Sequence, residues 1–486
     1  MKMNAKRLLT ALLLATLLTG TAACGGSVST GSDTSSQATA GNDSSAETAT
    51  ETPTETAAAA PTETPRDLGG VSIILGDWWT DNNAAEQPAQ NLHEEQLRAY
   101  RAQIQKDYNF TIKQTGLSGW GEYEELFMTS VMAGDPAADI FIMAPGFVAQ
   151  PLAKGLLYPL SDLKSLNFDD AKWNQTIREN LTLGGKTFGM TPTQRMEPRD
   201  FLFFNKRLLS EAGIDPEEPY DLQASGQWTW DKFKEYCQKL TRDTNGDGVP
   251  DTYALQGFSV EIFAGLMYSN NARYVGKDAN GLFYNAVTEP QALEALQFGR
   301  SLWADGFVKP YPEGANWDWF VTAFHDAHVA MIIREEYSVG SWADMADDWG
   351  MVFVPKGPQA KNNDYLSYFS ENVVVMPKGL SKERAEAAAY AYNLWTQPLP
   401  GDLEDSEAWK TDYYARFRDS RAVDETLSML YDGRGELDLL PYIYGIDLGG
   451  DLIWNMPEGE ATPAELIEAC KPKWDAAIAD ANAATK

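Results

Sequence analysis

Within residues 243–251, Asp243, Asn245, Asp247 and Asp251 place side-chain oxygens at loop positions 1, 3, 5 and 9. Val249 can offer its backbone carbonyl at position 7, and Gly248 at position 6 permits a sharp turn. This is the ligand spacing of an EF-hand-type loop, and hard oxygen donors suit Ca²⁺. Position 12 is Ala254 rather than a carboxylate. Water or another segment must complete the shell, so the expected ion is structural. The competing reading is an Asx-rich turn that holds no ion. The chain's three histidines leave no room for a histidine-rich metal site, and His325 and His328, on one helix face, read as structural residues.

Cys24 is chemically distinctive for a different reason. Lys2, Lys6 and Arg7 precede an apolar run over residues 8–18, and small residues then lead to the cysteine. A bilayer span takes about 20 apolar residues, so residues 1–23 read as a secretory signal. Thr21-Ala22-Ala23-Cys24 resembles a bacterial lipoprotein signal, which implies lipidation of Cys24 as the first mature residue. Thr21 stands where such signals usually carry leucine; ordinary secretion with an incidental Cys24 is the alternative. Residues 24–65 are almost entirely Gly, Ser, Thr, Ala, Pro and acid after the cysteine, with Val28 the single large aliphatic residue. Such a stretch buries too little apolar surface to offset chain entropy and is expected to be a disordered tether.

The third candidate chemistry is recognition by aromatic rings beside carboxylates. An aromatic ring covers the apolar face of a sugar, while Asp, Glu, Asn and Arg satisfy its hydroxyl rim. Acidic groups around aromatics would equally hold a cation such as a polyamine. The formal net charge of −31 argues against nucleic-acid binding, which needs basic surface against phosphate.

The elements that must position these groups alternate along the chain. Residues 71–75 and 139–143 read as buried strands, with helices over 97–108 and 121–132. Strands at 201–204, 329–333, 351–354 and 373–376 and helices at 290–303, 382–395 and 463–479 continue the pattern, which implies parallel βαβ units. A helix over 230–240 starts after Thr229 as N-cap and turns Trp230, Phe233, Cys237 and Leu240 to the core. Cys237 and Cys470 are expected to be buried free thiols. About 420 residues follow the tether, too many for one core, so two domains are expected. Ligands of open α/β sheets bind beyond the carboxyl ends of the strands. That rule selects Gly76-Asp77-Trp78-Trp79, Met143-Ala144-Pro145 and Arg334-Glu335-Glu336-Tyr337.

Several segments taken in order resemble family 1 extracellular solute-binding proteins. They are Phe203-Phe204-Asn205-Lys206-Arg207-Leu208-Leu209, Glu211-Ala212-Gly213-Ile214-Asp215-Pro216, Trp228-Thr229-Trp230-Asp231, and the stretches 133–140, 152–160 and 324–331. His328 departs from the usual residue of the last motif. The resemblance, over about 71–479, implies an α/β, two-lobed periplasmic-binding-protein type II fold. Each lobe would be a mostly parallel sheet flanked by helices, joined by hinge strands. The expected lobes are 66–195 plus 355–435, and 196–354 plus 436–486 with the calcium loop.

By the same resemblance, Trp78, Trp79, Met143 and Pro145 should line the cleft from the first lobe. Gln194, Arg195, Glu197 and Arg199 should lie at the first crossing, and Phe258, Glu261 and Tyr337 in the second lobe. Ser370, Glu371 and Asn372 should precede a strand near the solute, and Trp454 should supply a late aromatic. The implied protein is a monomeric, lipid-anchored receptor on the outer face of the bacterial cytoplasmic membrane. It would capture a carbohydrate, an oligosaccharide, by lobe closure, deliver it to ABC permease subunits and do no catalysis. A polyamine or other solute receptor, a secreted glycosidase with two carboxyls about 5–9 Å apart, and a surface adhesin are the rival readings.

Overall fold

The computed structural model describes residues 66–83, 88–89, 91–193, 195–402 and 407–484. The signal segment, Cys24, the tether and Gln194 lie outside the described residues. The strands that build the architecture are β1 (Val71–Asp77), β2 (Phe110–Gly116), β3 (Ile140–Met143), β4 (Phe201–Asn205), β5 (Tyr253–Gly257), β6 (Val329–Arg334), β7 (Trp349–Val352), β8 (Ser367–Phe369), β9 (Val373–Val375) and β10 (Gly435–Leu437).

Two four-stranded sheets organise two lobes. The first has the order β9-β3-β1-β2, with β1 parallel to β2 and β3 and β9 antiparallel to β3. Alternate side chains feed opposite faces, as a period of two requires. Ile73, Leu75, Ile140 and Val374 pack one way, with Ile104 and Ala388 from the helices Leu92–Asp107 and Lys382–Trp395. Phe141, Met143, Val373 and Val375 pack the other way, against Tyr123 and Phe127 of the helix Trp120–Met132.

The second sheet has the order β7-β4-β6-β5. It departs from the mostly parallel expectation: β6 is parallel to β5, but β4 is antiparallel to both β6 and β7. Parallel neighbours need a crossover helix between them. Here β4 brings the chain in from the other lobe and therefore runs against the strands that the helices return. All five residues of β4 and all six of β6 are buried, so these strands are covered on both faces.

The lobes are linked by neighbouring extended segments. Met190 and Val374 exchange backbone hydrogen bonds of 3.0 and 2.8 Å, Arg199 N–H donates to Tyr368 O at 3.0 Å, and Ser370 N–H donates to Glu197 O at 3.2 Å. β8 pairs in parallel with β10. These are the hinge strands. The expected assignment is redrawn: Phe417, Ala422, Val423, Leu427 and Leu430, assigned from sequence to the first lobe, pack in the core around the second sheet, as do Tyr365, Tyr368 and Phe369, while Tyr442, assigned to the second lobe, packs against the first sheet. The apolar faces of the 417–430 segment pack with Trp349 and Met351 of β7 in the same cluster. Cys237 and Cys470 are free and buried. Thr229 caps the helix Trp230–Leu240 and accepts from Lys232 N–H, as its sequence implies.

Candidate functional site

The end of β1 sets up an aromatic wall. Buried Asp77 accepts hydrogen bonds from Trp79 N–H at 3.0 Å, Thr80 N–H at 2.8 Å and Gln114 Nε2 at 2.6 Å. These bonds fix the turn that presents two adjacent indoles. Trp78 is half-buried, with the rings of Trp79 at 4.6 Å, Trp120 at 5.0 Å and Phe147 at 6.2 Å. Trp79 is 50 % and Trp120 54 % exposed. Trp78 therefore supports the wall and its two neighbours present it.

Met143 and Pro145 do not line this surface. Met143 is fully buried because the register of β3 points it into the sheet's inner core, and Pro145 is buried at the start of a tight turn. Phe147, at the far end of that turn, reaches the tryptophans instead. Trp120 and Phe147 escaped the sequence reading, although Trp120 follows β2 in the same way that Trp78 follows β1.

The second lobe presents rings at the ends of β5 and β6. Phe258 stacks on Phe320 with centroids 6.4 Å apart, Phe320 meets Trp319, and Trp319 meets Tyr311 at 5.9 Å. The Arg334 guanidinium lies over Phe320 at 5.5 Å and pairs with Glu261. The loop 311–320 was not selected from sequence; its three exposed or half-exposed aromatics beside Glu313 and Asp318 were the available signal.

Between the lobes, the hinge carries a charged network. Arg199 binds Glu197 at 3.0 Å and Glu335 at 3.1 Å, and donates to Ser370 O at 3.3 Å. Tyr337 donates its hydroxyl to Glu335 and lies under the Arg199 guanidinium at 5.5 Å. Its ring is 45 % exposed and so can accept a partner. Glu371 accepts from Glu197 N–H at 2.9 Å. Asn372 contributes through its backbone, accepting from Thr191 Oγ1 and donating to Glu371.

Burial shapes the titration of these groups. It pushes Glu371 up to about 7, with Glu197 adding to the rise, and Glu336 up to about 7 despite the Arg416 guanidinium at 2.9 Å. Burial also raises Glu197, only partly offset by Arg199. Burial disfavours the Arg199 charge, yet Glu197 and Glu335 outweigh it and hold that pKa above its ordinary value. Glu197, Arg199, Glu261, Tyr337, Ser370, Glu371 and Asn372 are thus brought together with Arg334, the last residue of β6, and Glu335, which follows it.

Two expected site residues stand apart. Arg195 lines a separate cavity of about 480 Å³ with Lys172, Trp395 and Trp409, its guanidinium 5.8 Å from the Trp409 ring. Trp454 is 62 % exposed above Gly449, and among the described residues it meets none of the rings named above.

The loop 243–251 folds through its own side chains. Asp243 accepts from Gly246 N–H at 2.6 Å and Gly248 N–H at 2.8 Å, Asp247 accepts from Val249 N–H, and Asp251 accepts from Thr244 N–H and Asn245 Nδ2. Gly246 and Gly248 take positive φ, which glycine adopts without Cβ strain. The oxygen donors suit a hard cation. Among the described residues, however, no group of three or more His, Cys, Asp or Glu side chains is gathered to hold a metal.

No curated protein matches the chain. Among solved structures, it is similar to the cyclic alpha-maltosyl-1,6-maltose binding protein from Arthrobacter globiformis. They share 18 % identity and a TM-score of 0.59, over 84 % of this chain and 99 % of that one. It is also similar to the GacH receptor of Streptomyces glaucescens, solved unliganded and with acarbose, at 16 % identity and TM-score 0.57, over 85 % and 99 %. A third is UgpB from Mycobacterium tuberculosis in complex with glycerophosphocholine, at 18 % identity and TM-score 0.57, over 79 % and 94 %. These likenesses concern the fold. The family model for bacterial extracellular solute-binding proteins matches residues 85–392, more than half of the chain. With two sheeted lobes, hinge strands and aromatic and polar groups at the strand ends, the chain belongs to the bacterial extracellular solute-binding protein family.

Proposed function

We propose that this protein is a receptor that captures a carbohydrate, an oligosaccharide, by lobe closure and delivers it to an ABC importer without altering it. One observation carries the reading. Exposed rings stand at the strand ends of each lobe, Trp79 and Trp120 in the first and Tyr337 in the second, and Tyr337 adjoins a hinge network rich in hydrogen-bonding groups. Stacking and rim hydrogen bonds are the two contacts that a sugar needs. The Arthrobacter neighbour is a cyclic alpha-maltosyl-1,6-maltose binding protein and the Streptomyces receptor was solved with acarbose, which supports this solute class. Glu197 and Glu335 share Arg199 as a counter-ion, an arrangement that suits binding better than acid–base catalysis.

A thermal-shift screen over oligosaccharides, polyamines and peptides tests the solute class, because a ligand selective for the folded state raises the Tm. X-ray scattering with the best ligand should show compaction. Unchanged scattering, or cleavage of the sugar, sinks the reading.

The anchored, monomeric form on the outer membrane face is part of the same proposal. It rests on the sequence around Cys24; among the described residues no helix is long and apolar enough to cross a membrane. Metabolic lipid labelling that disappears in Cys24→Ala checks it. Structural Ca²⁺ in the loop is likewise proposed, on donor type and spacing: Asp243, Asn245, Asp247, Asp251 and the Val249 carbonyl would hold it. Calcium should then raise the Tm and a chelator lower it, and Asp243→Ala should abolish the difference.

A further inference from the structure

The cavity that Arg195 lines shares none of its described lining residues with the hinge network of Glu197, Arg199, Glu335 and Tyr337. Its volume, about 480 Å³, falls in the range of small-molecule sites, about 300–1,000 Å³. Its walls come from both cores. Leu97 and Arg101 stand on the helix Leu92–Asp107, and Trp395 ends the helix Lys382–Trp395 and packs on the first core. Trp409 packs on the second core, and Thr193 joins from the crossing between lobes.

Two cations on the first-lobe wall have no carboxylate partner. Arg101 donates Nε to Trp395 O at 3.3 Å, and its guanidinium lies 4.4 Å from the centre of the Trp395 ring. Its terminal amino groups have no hydrogen-bond partner among the described residues. Lys172 is only 4 % exposed and donates to neutral oxygens: Asn393 O at 2.6 Å, and Thr396 Oγ1 and Gln397 Oε1 at 3.3 Å. Burial pulls the Arg101 pKa below its ordinary value and that of Lys172 down to about 8, with Asp170 opposing part of the latter fall. Arg199, with two carboxylates against it, moves the other way. The acids that line the cavity are engaged elsewhere. Asp402 holds His93 at 3.1 Å and accepts from Leu399 N–H at 2.8 Å, and Asp412 accepts from Asn91 Nδ2 at 3.0 Å.

Desolvating a cation without a counter-ion costs stability, and an incoming anion would recover that cost. The Arg101 fork, held by its indole and its Nε bond, keeps parallel N–H donors for a carboxylate or phosphate, which accept them bidentately. Lys172 has its donors occupied and so adds positive field rather than a contact. Trp395 and Trp409, with Leu97, Pro192 and Pro398, give the lining apolar surface for a ring.

We propose that this cavity is a second ligand site, apart from the sugar-binding surface, for a small ring-bearing molecule with a carboxylate or phosphate. Arg101 receives the oxyanion, and Trp395 and Trp409 flank the ring. The site stands independently of the sugar reading, since it uses none of the same side chains.

Isothermal titration of the full chain at pH 7 and low salt tests the site, with glucuronate, benzoate, glucose 6-phosphate and glucose as probes. Glucuronate and glucose share a ring and differ by the carboxylate. One or more of the three anions should bind at least about ten-fold tighter than glucose, the scale of a hydrogen bond to a charged group. Which anion leads tells carboxylate from phosphate. Arg101→Gln should erase most of that margin. Arg101→Lys keeps the charge without the fork and should retain only part of it; both variants are checked for a native melting transition. Trp79→Ala, on the aromatic wall of the first lobe, should leave the anion's affinity unchanged. Anions that bind no tighter than glucose overturn the inference, as does a margin untouched by either Arg101 variant. A margin lost equally in Trp79→Ala places the anion at the aromatic wall and overturns it too. Anion binding that depends on Arg101 but not on Trp79, beside silence in the saccharide screen, upholds this site and sinks the sugar receptor.

Discussion

Trp79 and Trp120 each leave about half of their surface open on a wall whose back is Trp78 and Phe147. Replacing either exposed indole by alanine should therefore weaken saccharide binding by about 1–3 kcal/mol while leaving folding nearly intact. Titration beside a thermal melt distinguishes the two effects. Met143→Leu should do the reverse: a near-isosteric change in a closed core costs less than about 1.5 kcal/mol and should leave affinity alone.

Glu371 gives a pH prediction. Its pKa rises from 4.5 to about 7 in the folded chain, first through burial. Between those values the native state holds a proton that the unfolded state has lost, so this group's contribution to stability declines as pH rises through the window. Glu371→Gln removes that dependence. Its melting temperature relative to the parent should climb from pH 4.5 to pH 7 and then level off; a flat difference would refute the assignment.

Residue type alone made Trp78 and Trp79 legible. Their division into buttress and contact was not, because it depends on Trp120 arriving from a separate helix. Met143 shows the converse. Its place after a strand was read correctly, but its direction was set by the sheet register, which a sequence without known pairing does not specify.

At the scale of elements, caps and crossings matter most. Asn205, at the end of β4, caps the following helix by accepting from Leu208 N–H at 3.0 Å and donates to Asp347 at 2.9 Å. It is fully buried. Asn205→Ala should cost about 0.5–2 kcal/mol from the lost cap, while Asp347 keeps the Arg207 guanidinium as its partner. Urea unfolding measures it, and an unchanged midpoint would show that the cap is idle. Helices with strong periodicity, such as Lys382–Trp395, were readable in the sequence, and the observed ends coincide with the expected ones. The antiparallel insertion of β4 was not readable. Its uniformly apolar sequence fits any strand covered on both faces, whichever way it runs. The 417–430 segment was misplaced for a related reason. Its apolar residues announce burial but not which of two cores receives them.

For the whole molecule, the two sheets and their separate cores make lobe motion about the hinge strands the natural expectation. Ligand-induced closure should reduce the radius of gyration by scattering, and replacing Arg199 with Met should impair it. Arg199 ties Glu197 and Ser370 of the hinge to Glu335 of the second lobe. Removing one partner from such a shared, mostly buried pair costs about 3–5 kcal/mol, so the variant's melt must accompany the scattering. A stable Arg199→Met protein that still compacts fully would show the network to be ornamental to closure.

The described chain starts beside Leu68, packed on the first sheet's core, and finishes with Trp474 and Ile478 of the helix Pro463–Ala484 in the core around the second. The two extremities therefore ride on different jaws. A donor dye near residue 67 and an acceptor near residue 480 would form a molecular calliper, reporting each bite in real time.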